Sequence, residues 1–311
     1  MQYQNNIFTI RSITNIHAGT KREHFGLIDQ YVQRDRYSQL PNLVSHTVKG
    51  AVDNNKLGKT GDPNKYMDII FGKEGKNSQP SVPGQFVFMN ADLLMMPVRS
   101  NAAPIYHVYC PEVLVEWIDK VLPYVDDTGD MNAKQIEELK EIKNMDTTKI
   151  KDNSISISNN INTPIYLEDR KCNHTTIPEA SSSPIKMLRK YFLDENQPIA
   201  LVSKSLMQTL TSDLYLEAIP RNKIGIKKES ENLWYEQVVG RESIWGWHYY
   251  SPKELSNENQ KFKDYLTSTV SKDGKVEPIY HQIGSNFSVG YGVVKFRSLL
   301  KNSIQDESKQ K

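Results

Sequence analysis

The hydrophobic and polar positions of this chain change their period several times, and each change predicts a different element. The segment NNIFTIRSITNIHAG alternates and is rich in Ile and Thr, which predicts a β-strand that ends in a turn at Gly19. In CPEVLVEWIDKVLPYV the apolar residues recur at three- and four-residue spacing, which predicts an amphipathic α-helix. The residues on its apolar face are Val113, Leu114, Trp117, Ile118, Val121 and Leu122.

Two shorter helices and one strand are predicted in the same half of the chain. SHTVKGAVDN reads as a helix with Ser45 as its N-cap. GDPNKYMDIIFG predicts a second helix, because it has start and stop signals at its two ends. Asp62 is the predicted N-cap, Pro63 the first helical residue and Gly72 the residue after the last turn. The apolar run in GQFVFMNADLLMMPV predicts a strand.

Residues 126–163 differ in character from the rest and predict an insertion made of a charged helix followed by a mobile, polar loop. Strands and helices elsewhere are mixed without a regular βαβ rhythm, which favours an α+β fold. We expect residues 1–301 to form one domain, and we expect the polar tail at 302–311 to be disordered.

Composition limits the function classes. The 311 residues are 38% hydrophobic and 24% charged, with a net charge of +2 and a pI near 8.3. This balance argues against a sequence-blind DNA-binding protein and still allows a local basic groove. The two cysteines, Cys110 and Cys172, indicate neither a disulfide framework nor a zinc site. Because no segment has a signal core or membrane-spanning length, we expect a soluble, cytoplasmic protein.

The stretch EHFGLIDQYVQRDRYSQLP places one carboxylate, Asp29, before a basic and aromatic run that contains Arg34 and Arg36. Asp29 is either an ordinary solvated residue or an acid that accepts a proton or holds a divalent metal. His17, at the end of the first predicted strand, is a candidate neighbour in space.

Two further segments could bind an anion. The helix predicted at Ser45 and His46 would direct backbone N–H groups at a phosphate, with Lys49 one turn along, unless it is simply a surface helix. The segment HQIGSNFSVGYGVVKF lets the backbone approach a phosphate closely, or forms a β-turn with a bulge. Its candidate residues are Gly284, Asn286, Gly290 and Gly292.

Aromatic residues cluster in LWYEQVVGRESIWGWHYY, where base stacking and core packing are the alternatives, with packing favoured for most of them. No Ser-His-Asp order or HExxH pair stands out, which argues against the common protease classes.

Taken in order, these segments resemble the RAMP superfamily of CRISPR proteins and, within it, the repeating backbone subunit of type III-B (Cmr) RNA-targeting effector complexes. TNIHAG is similar to the family's Thr-x-x-His-x-Gly turn, GLIDQYVQRDRYSQLP to its Gly-x-Ile-Asp and QRD run, and Lys49-Gly50 to its helix start, although Val44 to Thr47 replace the usual Pro-Gly-Ser-Ser. Four more segments are similar to this subunit: NADLLMMPVRS, YCPEVL, IYLED and LWYEQVVGRESIW. IGSNFSVGYG is similar to the superfamily's glycine loop.

The resemblance implies a ferredoxin-like, modified RNA-recognition core with an inserted helical lobe and a protruding hairpin, the thumb. It implies copies stacked in a helical filament on a guide RNA, bound to other Cmr subunits, which cut the paired target RNA with a divalent cation such as Mg or Mn. No membrane partner is implied.

By the same resemblance Asp29 would be the catalytic acid or metal ligand, with His17, Arg34 and Arg36 in support. Ser45, His46, Lys49 and the glycine loop would bind the guide backbone. The thumb would lie at about 171–184, or alternatively in the 126–163 insertion. A non-catalytic RNA-binding scaffold and a guide-processing endoribonuclease of the same superfamily are the competing functions.

Overall fold

A computed structural model describes residues 2–19, 26–53, 64–73, 75, 80–122, 133–143, 154–157, 161, 163–176, 184–193, 197–270 and 276–299. The helices are α1 Ser45–Asp53, α2 Asn64–Phe71, α3 Pro111–Val121, α4 Ala133–Lys143, α5 Pro184–Phe192, α6 Lys204–Leu210 and α7 Ser256–Thr267. Strands of the first half are β1 Tyr3–Ser12, β2 Asn42–Leu43, β3 Gly72–Lys73, β4 Val82–Pro83, β5 Val87–Phe88, β6 Ala91–Arg99 and β7 Ile105–Tyr109. Strands of the second half are β8 Ser154–Ile157, β9 Ile165–Leu167, β10 Arg170–Thr176, β11 Ile199–Leu201, β12 Ala218–Ile224, β13 Ser230–Gln237, β14 Ile244–Pro252, β15 Ser268–Val270, β16 Val276–Pro278, β17 Tyr280–Gln282 and β18 Val293–Ser298.

One large mixed sheet organises these elements. Its strand order is β17-β18-β1-β14-β6-β7-β11-β8-β10-β9, with β2 and β5 attached to β6 and β14. The predicted first strand is β1, which lies near the middle of the sheet and pairs antiparallel with both β14 and β18. It ends at Ser12, so residues 13–19, which were predicted to continue the strand to the turn at Gly19, lie beyond it. The α+β class expected from the sequence is therefore confirmed. No helix in the described ranges is long and apolar enough to span a membrane.

Both faces of the sheet are covered because successive residues of a strand point to opposite sides. Phe8 lies in the core cluster that also contains Phe262 of α7, whereas Ile7 lies in a second cluster with Trp117 of α3. Gly246 of β14 makes room for that tryptophan, since a Cβ at this position would lie 2.4 Å from the Trp117 Cε2 atom. The sheet is thus the middle layer of the domain.

The short helices agree with their sequence signals except at one cap. Ser45 is the first residue of α1 rather than its N-cap, and its N–H donates to the Asn90 Oδ1 atom at 2.8 Å. Gly72 follows α2 with a φ of +94°, the left-handed conformation that ends many helices. Asp62 and Pro63 lie outside the described residues. The apolar face predicted for α3 is buried at Val113, Leu114, Trp117, Ile118 and Val121.

The segment expected to be a mobile loop contributes a strand to the sheet. Ser154–Ile157 forms β8 between β11 and β10, with Ile155 and Ile157 buried. Its four residues alternate as Ser-Ile-Ser-Ile, a strand period too short to stand out in a run of Asn and Ser. The predicted charged helix is α4, in which Leu139 is buried.

The segment expected to be the thumb is part of the sheet as well. Residues 171–176 belong to β10, which pairs with β8 and β9, and α5 begins at Pro184. Residues 177–183 and the tail at 302–311 lie outside the described residues.

A different hairpin stands apart from the large sheet. β12 and β13 pair only with each other among the described strands, and residues 222–224 and 226–233 are exposed. Ile224, Ile226 and Leu233 are its exposed apolar side chains. No local sequence pattern indicates that this hairpin leaves the sheet.

Candidate functional site at the hairpin base

Asp29 lies where the β12–β13 hairpin joins the body of the protein. Its N–H donates to the Tyr235 carbonyl at 3.1 Å, and its Oδ2 atom accepts the Tyr235 N–H at 2.8 Å. The next residue, Gln30, donates its N–H to the same carbonyl at 3.2 Å. The backbone of residues 29–30 therefore binds β13, and the half-buried Asp29 carboxylate is held against the same strand.

Gln237, at the end of β13, fixes the segment that follows Asp29. Its N–H donates to the Gln30 carbonyl at 2.9 Å, and its side-chain Oε1 accepts the Val32 N–H at 3.2 Å. Its Nε2 donates to Asp213 at 3.1 Å. Because Gln237 is fully buried, these bonds exchange little with water and make the loop rigid.

His17 contacts the same strand, and its side chain is only 2% exposed. Its Nδ1 atom lies 2.6 Å from the Gln237 carbonyl, which can only accept, so Nδ1 carries the proton. Gly19 accommodates the ring, since a Cβ there would lie 2.4 Å from the His17 Nε2 atom. His17 is therefore placed to hold β13 rather than to face solvent.

Glu236 is a second carboxylate at the hairpin base and is 2% exposed. Its Oε1 atom accepts the Trp234 indole N–H at 2.8 Å, and its Oε2 atom accepts the Asn286 amide at 2.7 Å. The Arg221 Nε atom lies 3.9 Å from Oε2. The guanidinium of Arg221 also lies 5.7 Å from the ring centroid of Tyr291. No local pattern indicates the contacts of Glu236 with Arg221 and Asn286, which are distant in sequence.

The glycine loop, residues 284–292, connects β17 to β18 and packs on His17. A Cβ on Gly284 would lie 2.5 Å from the His17 carbonyl oxygen, which also accepts the Ser285 N–H at 3.0 Å. Asn286 and Gly290 adopt left-handed φ values of +64° and +86°. The loop is thus a tightly built turn that brings the Asn286 side chain to the hairpin base.

The helix start predicted to bind an anion is partly satisfied from within the protein. The N–H of Ser45 is capped by Asn90, and the N–H of Thr47 donates to the Val44 carbonyl at 2.9 Å. His46 is exposed, and the Lys49 ammonium lies 5.9 Å from the ring centroid of Phe88. Fewer backbone N–H groups at the start of α1 are therefore free to bind an anion than the sequence suggested.

The two arginines after Asp29 have different environments. Arg34 forms a 2.9 Å ion pair with Asp213, whereas Arg36 is exposed.

Asp92, in the NADLLMMPVRS segment, pairs with Lys120 at 2.7 Å, and burial raises the pKa of its carboxyl group. Trp245, Trp247 and Tyr249 are buried in the core, as favoured from the sequence, and half-buried Trp234 lies at the hairpin base.

The described residues contain no group of three or more His, Cys, Asp or Glu side chains arranged to hold a metal ion. Asp29 is a hard oxygen donor of the kind that Mg²⁺ and Mn²⁺ prefer. A cation there would therefore take most of its ligands from water or a bound RNA.

No protein-family model matches the chain. It is 25% identical over 299 residues to the CRISPR system Cmr endoribonuclease Cmr4 of Pyrococcus furiosus, covering 91% of this chain and 92% of that protein. The type III-B Cmr-beta complex bound to cognate target RNA contains a chain that matches with a TM-score of 0.70 and 18% identity, covering 94% and 96%. The crystal structure of oligomeric Cmr4 from Pyrococcus furiosus matches with a TM-score of 0.62 and 16% identity, covering 97% and 100%.

The fold is similar to that of the matched chain in the type III-B Cmr-beta complex and to that of crystallised Cmr4. The resemblance expected from the motifs is confirmed along nearly the whole chain, and the particular relative is Cmr4.

Proposed function

We propose that this chain is the repeating backbone subunit of a type III-B CRISPR effector complex and cuts the target RNA that pairs with its guide. The observation that carries the proposal is the position of Asp29, whose carboxylate is bonded to β13 at the base of an exposed hairpin. The similarity to a Cmr endoribonuclease supports it. The partners would be guide RNA, target RNA, copies of the chain in a filament, and other Cmr subunits.

We assign the thumb to the β12–β13 hairpin. Its exposed apolar residues, Ile224, Ile226 and Leu233, could insert beside a base. Lys227 and Lys228 supply positive charge at its tip, whereas Lys223 is paired with Glu231. By entering the guide–target duplex, the hairpin would displace a nucleotide. Its backbone can then reach the in-line geometry that cleavage by the 2′-hydroxyl requires and that a regular duplex does not offer.

Asp29 would act on that displaced nucleotide. Its Oδ2 atom is oriented by the Tyr235 N–H, so the carboxylate keeps one position as a proton acceptor for the 2′-hydroxyl or as a metal ligand. A divalent cation such as Mg²⁺ or Mn²⁺ would neutralise charge that develops on the phosphate. His17 and Gln237 would keep β13 in register with this carboxylate.

The guide RNA would lie along the glycine loop and α1, where Gly284, Gly290, Ser45, His46 and Lys49 are the candidate contacts. Gly292 is buried and its N–H donates to the Asn15 carbonyl, so it supports the turn instead of facing RNA. Sequence specificity would come from base pairing, so a small basic groove on each of many copies is sufficient. We also infer that β18-β1-β14-β6, with α1 and α7, forms the ferredoxin-like core. In its support, each neighbouring pair in this order is antiparallel.

The proposal is tested with Asp29→Ala in a reconstituted complex that carries guide RNA and labelled target RNA. Cleavage is expected to fall by about 10²- to 10⁴-fold while target binding is retained. A cut pattern that persists at full rate would show that Asp29 is not catalytic. If the parent complex binds but does not cut with Mg²⁺ or Mn²⁺ present, the scaffold function is correct.

A second assay addresses the guide-processing alternative. The isolated parent protein is incubated with precursor repeat RNA in EDTA, where no cleavage is expected. Target cutting by the complex should stop in EDTA and return when Mg²⁺ or Mn²⁺ is restored.

A further inference from the structure

A tight turn at residues 35–39, which we call the tyrosine turn, is fixed by its own hydrogen bonds. The Oδ1 atom of Asp35 accepts the N–H groups of Tyr37 at 3.1 Å and of Ser38 at 2.7 Å. The N–H of Gln39 donates to the Asp35 carbonyl at 2.9 Å. Burial raises the pKa of the Asp35 carboxyl group, but the bonds from Ser38 and Tyr37 outweigh it and the net pKa is lowered. The ionised carboxylate therefore holds the turn at neutral pH.

Neighbouring elements hold the same turn from outside. Arg34 donates to the Gln39 carbonyl at 3.0 Å and to Asp213 at 2.9 Å. Gln208 of α6 donates its side-chain amide to the Ser38 carbonyl at 2.9 Å. Since Asp213 also accepts from Gln237, the turn is linked to the residue that fixes the Asp29 segment.

The side chain at the tip of this rigid turn is not packed in the protein. Tyr37 is 84% exposed, so its ring contributes little to the burial that stabilises the fold. The Lys204 ammonium lies 5.2 Å from the ring centroid and is kept there by a 2.5 Å ion pair with Glu116. Arg36, beside Tyr37 in the turn, is exposed.

We propose that Tyr37 is a stacking platform for one unpaired nucleobase of RNA, with Arg36 binding the adjacent phosphate. The base stacks on the ring face opposite the Lys204 ammonium. Single-stranded RNA is commonly bound by aromatic rings on which bases stack, with cations along the backbone. This inference rests on the proposed function and adds a contact for a nucleotide outside the duplex that carries the cut.

The exposed ring and the exposed Arg36 beside it offer a base-stacking face and a phosphate ligand on one rigid turn. The Lys204 ammonium against the ring is already paired with Glu116, so Arg36 is the cation that would meet the phosphate. The rigid turn also removes the entropic cost of ordering a loop when the base binds.

The first experiment measures binding of the full-length chain to a fluorescent oligoadenylate of about twelve nucleotides at several salt concentrations. Tyr37→Ala should weaken binding about ten-fold, and Tyr37→Phe should stay close to the parent because the ring is kept. Tyr37→Ala should leave the slope of log Kd against log salt unchanged, while Arg36→Ala should lower it by about one. Tyr166→Ala, which removes a partly exposed ring on β9, is the matched control and should bind as the parent.

Unchanged binding by Tyr37→Ala, or equal losses in Tyr37→Ala and Tyr37→Phe, overturns the proposal. A Tyr37→Ala variant that loses only self-association in sedimentation without RNA also overturns it, because the turn would then be a protein contact. Melting temperatures of both variants should equal that of the parent, since the side chain is exposed.

The second experiment identifies the strand that supplies the base. Complexes carry photoreactive 4-thiouridine either in the guide or in the target, and Tyr37-containing peptides are sought by mass spectrometry. A crosslink in either arm supports the proposal and names the strand, and a crosslink in neither arm overturns it. Failure here leaves the Asp29→Ala cleavage result intact, so the two proposals can fail separately.

Discussion

The Oδ2 atom of Asp29 accepts the backbone N–H of Tyr235 at 2.8 Å, and the N–H of Asp29 donates to the carbonyl of the same residue at 3.1 Å. This reciprocal pair joins the candidate catalytic carboxylate to the strand that carries the exposed hairpin. A movement of the hairpin base would therefore move the carboxylate with it.

Replacing Asp29 by Asn should separate its charge from its anchoring bond. Asp29→Asn keeps an oxygen that can accept the Tyr235 N–H, so its stability should match the parent, whereas Asp29→Ala should lose about 1 kcal/mol. Both should lose about 10²-fold or more in single-turnover cleavage, because neither has a carboxylate. Denaturant unfolding and cleavage rates measure the two effects, and an Asn variant that cuts as fast as the parent would contradict the role of the charge.

Glu236→Gln should destabilise the hairpin base. The buried carboxylate accepts from Trp234 and from Asn286, and an amide offers only one oxygen for these two donors. The expected loss in the free energy of unfolding is about 1–3 kcal/mol.

Glu231→Gln, on the same hairpin, is the matched control for that variant, because Glu231 pairs with Lys223 at the surface and its loss should cost less than about 1 kcal/mol. Equal stabilities of the two variants would show that the buried network contributes little.

Gly246→Ala should cost about 1–3 kcal/mol of stability through overpacking. The added Cβ would lie 2.4 Å from the Trp117 Cε2 atom and 2.8 Å from the Leu94 Cδ1 atom, in the centre of the sheet. Gly240→Ala adds the same group where no atom lies within 4 Å and should leave the melting temperature nearly unchanged. Similar melting temperatures for both variants would show that the core relaxes around the new methyl group.

Acid should destabilise the protein between about pH 6.5 and 4 through two buried histidines. Burial lowers the pKa of His248 and of His281 to about 4, from about 6.5 in the unfolded chain. Between these values the unfolded state binds more protons, so stability is complete above pH 6.5 and falls as the pH drops. Each group contributes up to about 3 kcal/mol.

Unfolding by urea at several pH values measures this dependence. His281→Gln should flatten it over the same range, although the variant is less stable at pH 7.5 because it loses the contact with the Leu266 carbonyl. A pH dependence that is identical in the parent and the variant would contradict the assignment to His281.

The parts of the fold that follow from a local period were predictable from the sequence, and the parts made by distant residues were not. The buried face of α3 and the first strand follow directly from spacing. β8 was not predicted because four alternating residues in a polar run carry a weak signal, although Ile155 and Ile157 are buried. The position of the β12–β13 hairpin depends on which strand pairs with which, and no local pattern encodes that.

The candidate site divides in the same way. Asp29 and the glycine loop were found by their motifs, but the bond from Asp29 to Tyr235 spans 206 positions and the contact of Asn286 with Glu236 spans 50. The burial of His17 and the exposure of Tyr37 are results of packing. The sequence made His17 a candidate neighbour of Asp29 and gave no sign of its burial, whereas in the structure it is a buried support of β13. It gave no sign either that the Tyr37 ring would be exposed on a rigid turn.

The last strand of the large sheet, β9, has its outer edge occupied by a neighbouring loop. The Tyr166 N–H donates to the Asn101 side chain at 2.8 Å, the Glu168 N–H donates to the Arg99 carbonyl at 2.9 Å, and the Pro164 carbonyl accepts from Asn101 at 3.0 Å. An open edge at this position could pair with exposed strands of other molecules, whatever their sequence. With these groups satisfied, copies cannot polymerise by continuing the sheet here, and assembly at this end must depend on side-chain surfaces that can distinguish a correct neighbour from an aggregate.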